Sequence, residues 1–172
     1  MELASPGTAE DGSSGQRTMG PLFTQDTAHW MEWSGKRLAV MLYPNITRNF
    51  AESWQSFDYV GDVEDWGLAA KASNRLLGPV AMFLANGKIK KKYNIVNERE
   101  ELDEVLKEWM DAVAITDEQG PFLHGASVSM ADLAVFGVLR AIHGLDTFAY
   151  AMENQGLHKW YAQMEKAVET KP

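Results

Sequence analysis

The 172-residue sequence contains no cysteine, and that absence excludes several kinds of chemistry. Without a thiol, the chain cannot supply a thiolate nucleophile, a CxxC redox pair or a disulfide. It also cannot bind zinc or an iron–sulfur cluster through sulfur ligands. Because proteins of reducing compartments do without disulfides, we expect an intracellular protein, with mitochondrion and plastid both left open as its compartment.

Long apolar runs and an excess of basic charge are also absent. The longest strongly apolar stretch, Leu76 to Ala85, is interrupted by Gly78-Pro79 and has about half the length that a bilayer span requires. We therefore predict no transmembrane segment. The 24 acidic residues outnumber the 16 basic ones and give a net charge of −8, which argues against nucleic acid as a partner.

The histidines and serines form no motif for metal binding or nucleophilic catalysis. No HxxxH or HExxH spacing connects the four histidines, which we interpret as surface or capping residues: His29, His124, His143 and His158. Ser127 and Ser129 have no evident base in a triad-like arrangement. The sequence predicts no metal site and no catalytic residue.

The chain divides into a polar N-terminal stretch and a longer apolar-patterned part. Residues 1–25 are rich in small and polar residues, and they lack the features of a signal or transit peptide. We predict a flexible tail over residues 1–25, or alternatively an arm that becomes ordered on a partner. Residues 26–172 are predicted to form one folded domain.

Apolar residues in the longer part recur at helical spacing, and no stretch alternates in the manner of a strand. Predicted helices cover residues 29–43, 49–59, 62–84, 97–115, 130–142 and 158–168. Pro44 is expected to end the first helix, and Pro79 to kink or break the third near Leu77–Gly78. The prediction is an all-α bundle of six or seven helices.

The segment before residue 140 gives the most specific local signal. Ser129 can accept a hydrogen bond from the backbone three residues on, and Asp132 can reach back to the N–H of Ser129. This pattern is a capping box that begins a helix. We therefore assign Ser129 and Asp132 a structural role.

The whole string from Phe122 to Arg140, an FL.G...S.ADLAVFGVLR pattern, resembles the helix-six motif of the glutathione-transferase C-terminal fold. Further short segments resemble the membrane-associated prostaglandin E synthase type 2 family and follow one another in the same order as in that family. They are Tyr43-Pro44-Asn45 through Arg48, Ser56 to Val60, Ala81 to Leu84, Gly144-Leu145-Asp146 and Trp160-Tyr161. The resemblance extends from about Trp33 to Val168. It implies a glutathione-transferase C-terminal-like helical bundle.

In that family, the helical domain accompanies a glutaredoxin-like domain, whose CxxC segment and nearby Tyr carry the glutathione site and the isomerisation of prostaglandin H2. This sequence contains no such segment. In the family, the cleft beside the glutaredoxin-like domain also contains residues of the helical half: a His and a Ser from its first helix and two Arg after its long helix. The resemblance aligns these with Val40, Tyr43, Lys88 and Lys92, so the polar pair and the bidentate guanidinium groups are lost. We expect no cofactor, neither glutathione nor heme.

A dense basic cluster lies between Gly87 and Tyr93 and consists of Lys88, Lys90, Lys91 and Lys92. One interpretation is an anion-binding or partner-binding site for glutathione carboxylates, lipid headgroups or an acidic protein. The other is a solvated helix end, where cations suit the negative end of the helix dipole and nearby Glu98 to Glu104 neutralise them.

Trp30 and Trp33 lie where the family's helical half would face its thiol domain. If that face is uncovered, the two rings form an exposed apolar patch and a docking face. We predict a non-catalytic accessory or interaction protein, a subunit of a larger organellar assembly. Its expected partners are proteins, with a membrane complex left open as one of them. The alternative is a glutathione-dependent prostaglandin E synthase or isomerase-type enzyme, of which this chain is the C-terminal half.

Overall fold

The computed structural model describes residues 25–56, 67–114 and 117–169. In chain order the α-helices are α1 (Gln25–Trp33), α2 (Ala39–Ile46), α3 (Phe50–Gln55), α4 (Leu68–Tyr93), α5 (Glu98–Ala114), α6 (Met130–Arg140), α7 (Asp146–Ala151) and α8 (Gln155–Glu169). A π-helical segment, Ser34–Leu38, joins α1 to α2 in one continuous helix. Counted in this way the described residues form seven helices and no strand, which confirms the all-α prediction. Residues 1–24 of the predicted tail and residues 57–59, 62–66 and 115 of the predicted helices lie outside the described residues.

The first helix does not end at Pro44, so that prediction is wrong. Pro44 lies inside α2, which continues to Ile46. The Asn45 side chain donates to the carbonyls of Met41 at 3.0 Å and Glu98 at 2.7 Å, and Thr47 donates to the carbonyl of Tyr43 at 2.8 Å. The Thr47 hydroxyl therefore satisfies the carbonyl of Tyr43, one of the last four of the helix, which would otherwise have no N–H partner. The Asn45 amide ties the same turn to the start of α5.

The long helix does not break at Pro79, so that one of the two expected outcomes is wrong, while the expected kink stays a prediction. α4 continues from Leu68 through Pro79 to Tyr93, although the proline removes one backbone hydrogen bond. Asn86 helps to hold α4 against the end of α2, because its side-chain amide donates to the carbonyl of Thr47 at 2.7 Å. The helix ends at Asn94, whose φ of 55° is the left-handed conformation typical of a helix C-terminus.

The centre of the core is Trp109 on α5, whose side chain is fully buried. Its ring centroid lies 5.4 Å from those of Trp30 and Trp160, in edge-to-face contacts, and 6.3 Å from that of Trp33. Aromatic rings favour this separation and orientation. Four tryptophans from α1, α5 and α8 therefore pack as one cluster.

Asp132 at the start of α6 forms the capping box expected from the sequence. Its Oδ2 accepts from the backbone N–H of Ser129 at 2.9 Å and from the Ser129 hydroxyl at 2.6 Å. Its Oδ1 accepts from the N–H of Leu123 at 3.1 Å and from the indole N–H of Trp160 at 3.3 Å. This fully buried carboxylate therefore connects the helix start to the preceding turn and to α8.

Candidate functional site

An apolar groove of about 350 Å³ lies between the first helix and the C-terminal half of α4. Its lining residues are Gly35, Ala39, Val40, Tyr43, Ile89, Lys92 and Tyr93. Three of the four positions that the resemblance assigned to the family's cleft therefore line one groove: Val40, Tyr43 and Lys92. Lys88, the fourth, is exposed and is not among the lining residues.

The polar groups of this groove are few. The Tyr43 hydroxyl donates to the carbonyl of Met82 at 3.4 Å, and burial raises the pKa of Tyr43 above its ordinary value. A neutral phenol already engaged with the backbone is a poor nucleophile at neutral pH. The Lys92 ammonium lies 5.0 Å from the centroid of the Tyr93 ring. The groove thus offers apolar contact and one cation.

The basic cluster divides between two sides of α4. Lys90 faces α5, where its ammonium lies 2.6 Å from a carboxylate oxygen of Glu98. Burial alone would raise the pKa of Glu98, but the hydrogen bond from Lys90 and the charges of Lys90 and Arg48 lower it below its ordinary value. Lys90 is therefore part of a helix-to-helix ion pair and is not available as a member of an open anion site.

Lys88 and Lys91 occupy the solvent side of α4. Both side chains are exposed, and within residues 25–56, 67–114 and 117–169 neither forms an ion pair with a carboxylate. The structure leaves both interpretations of these two lysines open, since an exposed cation at a helix C-terminus also suits the dipole.

An exposed apolar stripe precedes these two lysines along α4. We define the α4 stripe as Leu76, Leu77, Val80, Phe83 and Leu84, whose exposed fractions are 59%, 60%, 40%, 41% and 68%. Residues three, four and seven positions apart share one face of a helix, so the five side chains form a continuous band. Lys88 and Lys91 follow Leu84 at four and seven positions and continue that band.

Sequence reasoning missed the α4 stripe because helical spacing does not tell which face is buried. One signal was available in the composition of the helix. α4 contains six basic residues and no acidic one, in a chain whose net charge is −8: Lys71, Arg75, Lys88, Lys90, Lys91 and Lys92. A basic helix with an apolar face is typical of segments that bind a membrane surface or an acidic protein.

The predicted docking face at Trp30 and Trp33 requires a correction. Trp33 is only 6% exposed, and its ring packs 5.0 Å from that of Trp30, which is itself partly buried against the core. Trp33 cannot serve as an uncovered docking residue, because the fold uses it to fill the interior around Trp109. A band of neighbouring exposed apolar side chains lies on α4 instead.

The histidines do not come together as a ligand set. His124 shares a 3.0 Å hydrogen bond between its Nε2 and the hydroxyl of Thr27, which joins the turn before α6 to α1. Among the described residues no group of three or more His, Asp or Glu side chains could hold a metal ion. Within the same ranges, none of the helices combines the length and apolarity needed to span a bilayer.

Comparison with known proteins agrees with the fold. Residues 76–170, more than half of the chain, match the family described as Glutathione S-transferase, C-terminal domain. The chain is 33% identical over 144 residues to Prostaglandin E synthase 2 of Mus musculus, and 32% identical over 141 residues to Prostaglandin E synthase 2 of Danio rerio. These matches confirm the predicted resemblance.

The matches to these relatives cover different shares of the two proteins. They extend over 83% and 81% of this chain, but over only 37% of each relative. The chain therefore spans a little over a third of the length of the curated relatives that it matches.

Proposed function

This chain belongs to the glutathione S-transferase C-terminal domain family, and on that premise we propose that it is a non-catalytic accessory protein that joins a larger assembly. The observation that carries the proposal is the α4 stripe. Five large apolar side chains exposed on one helix face lose the benefit of burial while the chain is alone in water. Contiguous exposed apolar surface of this kind marks interaction sites.

The chemistry of the groove supports a non-catalytic role. The aligned cleft positions Val40 and Tyr43 place an aliphatic group and a backbone-bonded phenol where the family has a His and a Ser. This sequence contains no thiol to act with them. A single cation, Lys92, can attract an anion but cannot by itself supply a general base and a nucleophile.

Sedimentation of the tagged full chain in a gentle extract of its source cells tests the proposal. We expect it to migrate with an assembly several times larger than the single chain, and a double Leu77→Ser, Leu84→Ser variant to return to the position of the single chain. The control is Ala149→Ser, an exposed position on α7. Migration of the unaltered protein as a single chain would contradict the proposal.

A second candidate function is that of a glutathione-dependent prostaglandin E synthase or isomerase, and the observation in its favour is the groove itself. Val40, Tyr43 and Lys92 still meet around an apolar space of about 350 Å³, and the relatives carry the name Prostaglandin E synthase 2. Titration calorimetry of the full chain with glutathione separates the two functions. Saturable heat that disappears in Lys92→Ala would favour the enzyme, and no heat favours the accessory protein.

The compartment and the membrane complex stay predictions. The same sedimentation experiment on isolated mitochondria or plastids tests the predicted organellar assembly. Recovery of the tagged chain only in the cytosolic fraction would contradict the organellar part while leaving the accessory role intact.

A further inference from the structure

We propose that the α4 stripe binds an amphipathic helix of a partner protein, and that this partner helix carries carboxylates opposite Lys88 and Lys91. The inference rests on the proposed function, since it names the chemistry of the partner that the accessory protein would bind. It is carried by the spacing of the apolar residues, by the open surface at Gly87 and by the charge of α4.

The spacing of the stripe fits a packed helix. Leu76, Val80, Phe83 and Gly87 follow one another at intervals of four, three and four residues, which is the repeat by which one α-helix packs along another. Leu77 and Leu84 lie beside this seam, seven residues apart. From Leu76 to Lys91 the seam extends about 22 Å at 1.5 Å per residue, enough for a partner helix of about four turns.

Gly87 leaves room for close approach at the C-terminal end of the seam. It is exposed, and apart from its two chain neighbours and the adjacent backbone of its own helix, no atom lies within 4 Å of the position that its β-carbon would occupy. Glycine costs about 1 kcal/mol relative to alanine inside a helix. The described fold offers no packing reason for this glycine, whereas a small residue on a helix surface lets a second backbone come near.

The charges of α4 and of the whole chain distinguish three possible partners of the α4 stripe: a second copy of this chain, an anionic bilayer and a helix of another protein. α4 has no acidic residue, so two copies of this chain packed α4 against α4 would leave the lysines of both helices without carboxylates. An anionic bilayer would meet the whole chain, whose net charge is −8, and would repel most of it. A protein helix can instead present carboxylates only where Lys88 and Lys91 lie, which is the complementary arrangement that fixes partner and register.

The test is photo-crosslinking in the source cells with the full chain carrying benzoylphenylalanine in place of Phe83, followed by sequencing of the linked peptide. We expect a peptide from a different protein, with apolar residues at intervals of three and four and carboxylates at the end that meets Lys88 and Lys91. In a Lys88→Glu, Lys91→Glu background the yield is expected to fall about tenfold. Lys159→Glu, at an exposed position on α8, is the matched control.

Each outcome decides a different part of the proposal. A linked second copy of this chain, or a linked lipid, would overturn it. A linked protein whose yield is unchanged by the charge reversal would overturn the acidic partner while leaving the accessory function standing. The absence of any linked protein would count against both.

Gly87→Trp tests the helical packing separately from charge. Because the position is open, the purified variant should unfold at the same temperature as the parent protein, while its crosslinking yield falls as far as that of the charge-reversed variant. An unchanged yield with an unchanged unfolding temperature would overturn the close helix-to-helix approach.

Discussion

The surroundings of Trp109 and the exposed side of α4 use apolar residues in opposite ways. Around Trp109, four indole rings pack against one another, and the adjacent Asp132 has each of its oxygens hydrogen-bonded within the chain. The five apolar side chains of the α4 stripe stay exposed, and they are followed by Lys88 and Lys91, which form no ion pair within the described residues. Folding of the single chain explains the buried tryptophan cluster. The α4 stripe gains the free energy of apolar burial only when a partner covers it.

Trp109→Ala should give the largest loss of stability. Removal of a fully buried indole leaves a cavity between Trp30, Trp33 and Trp160, and such truncations cost about 3–5 kcal/mol. Chemical denaturation followed by circular dichroism measures the loss. A cost below about 1 kcal/mol would mean that the tryptophan cluster is not the centre of the core.

Asp132→Ala is expected to cost about 3 kcal/mol. It removes a helix cap and leaves the N–H groups of Ser129, Leu123 and Trp160 without their acceptor in a buried site. The same denaturation experiment measures this cost, with the exposed Asp111→Ala as control, for which we expect a change within about 0.5 kcal/mol. Equal effects of the two substitutions would contradict the role of the capping box.

The ion pair between Lys90 and Glu98 should make a small, pH-dependent contribution of about 1 kcal/mol or less. The pKa of Glu98 is lower in the folded chain than its ordinary value. Its contribution is therefore present above the ordinary glutamate pKa of about 4.3 and is lost as the pH falls through the folded value. Stability measured between pH 7 and pH 3 should lose this component in Lys90→Met. An unchanged pH profile in that variant would show that the pair is not coupled to folding.

The smallest effect on stability is expected on the α4 stripe. Leu84→Ser changes a side chain that is 68% exposed, so the free energy of unfolding should change by less than about 0.5 kcal/mol. A loss above 2 kcal/mol would show that Leu84 supports the fold of the isolated chain, and the contrast between the two regions would disappear.

Local patterns in the sequence were enough for most of the helices and for the α6 cap. Ser129 and Asp132 are three residues apart in a pattern whose geometry is set by the backbone, so their contact could be predicted. The continuation of the helices through Pro44 and Pro79 could not be predicted from the sequence. It depends on tertiary partners, such as the Glu98 carbonyl that accepts a hydrogen bond from Asn45. The short helix α7 was missed for the same reason.

The candidate site was harder to predict than the fold. The resemblance places Trp33 on the face toward the family's thiol domain, which predicts exposure if that face is uncovered. Trp33 is instead buried beside Trp109 from α5, a contact between residues far apart in sequence. Periodicity identified α4 as a helix but could not tell that Leu76 and Leu84 face solvent. That distinction depends on which side packs against α2 and α3.

Thiol labelling in the assembled state tests most directly whether the α4 stripe is covered by a partner. Because the chain contains no cysteine, Leu84→Cys and the control Ala149→Cys each introduce a single thiol, whose reaction with a maleimide reports its exposure. In the purified chain both thiols should react at similar rates. In gentle extracts of the source cells, we expect Leu84→Cys to react at least about tenfold more slowly, while Ala149→Cys reacts as before. Equal labelling of the two thiols in the extract would contradict a covered α4 stripe.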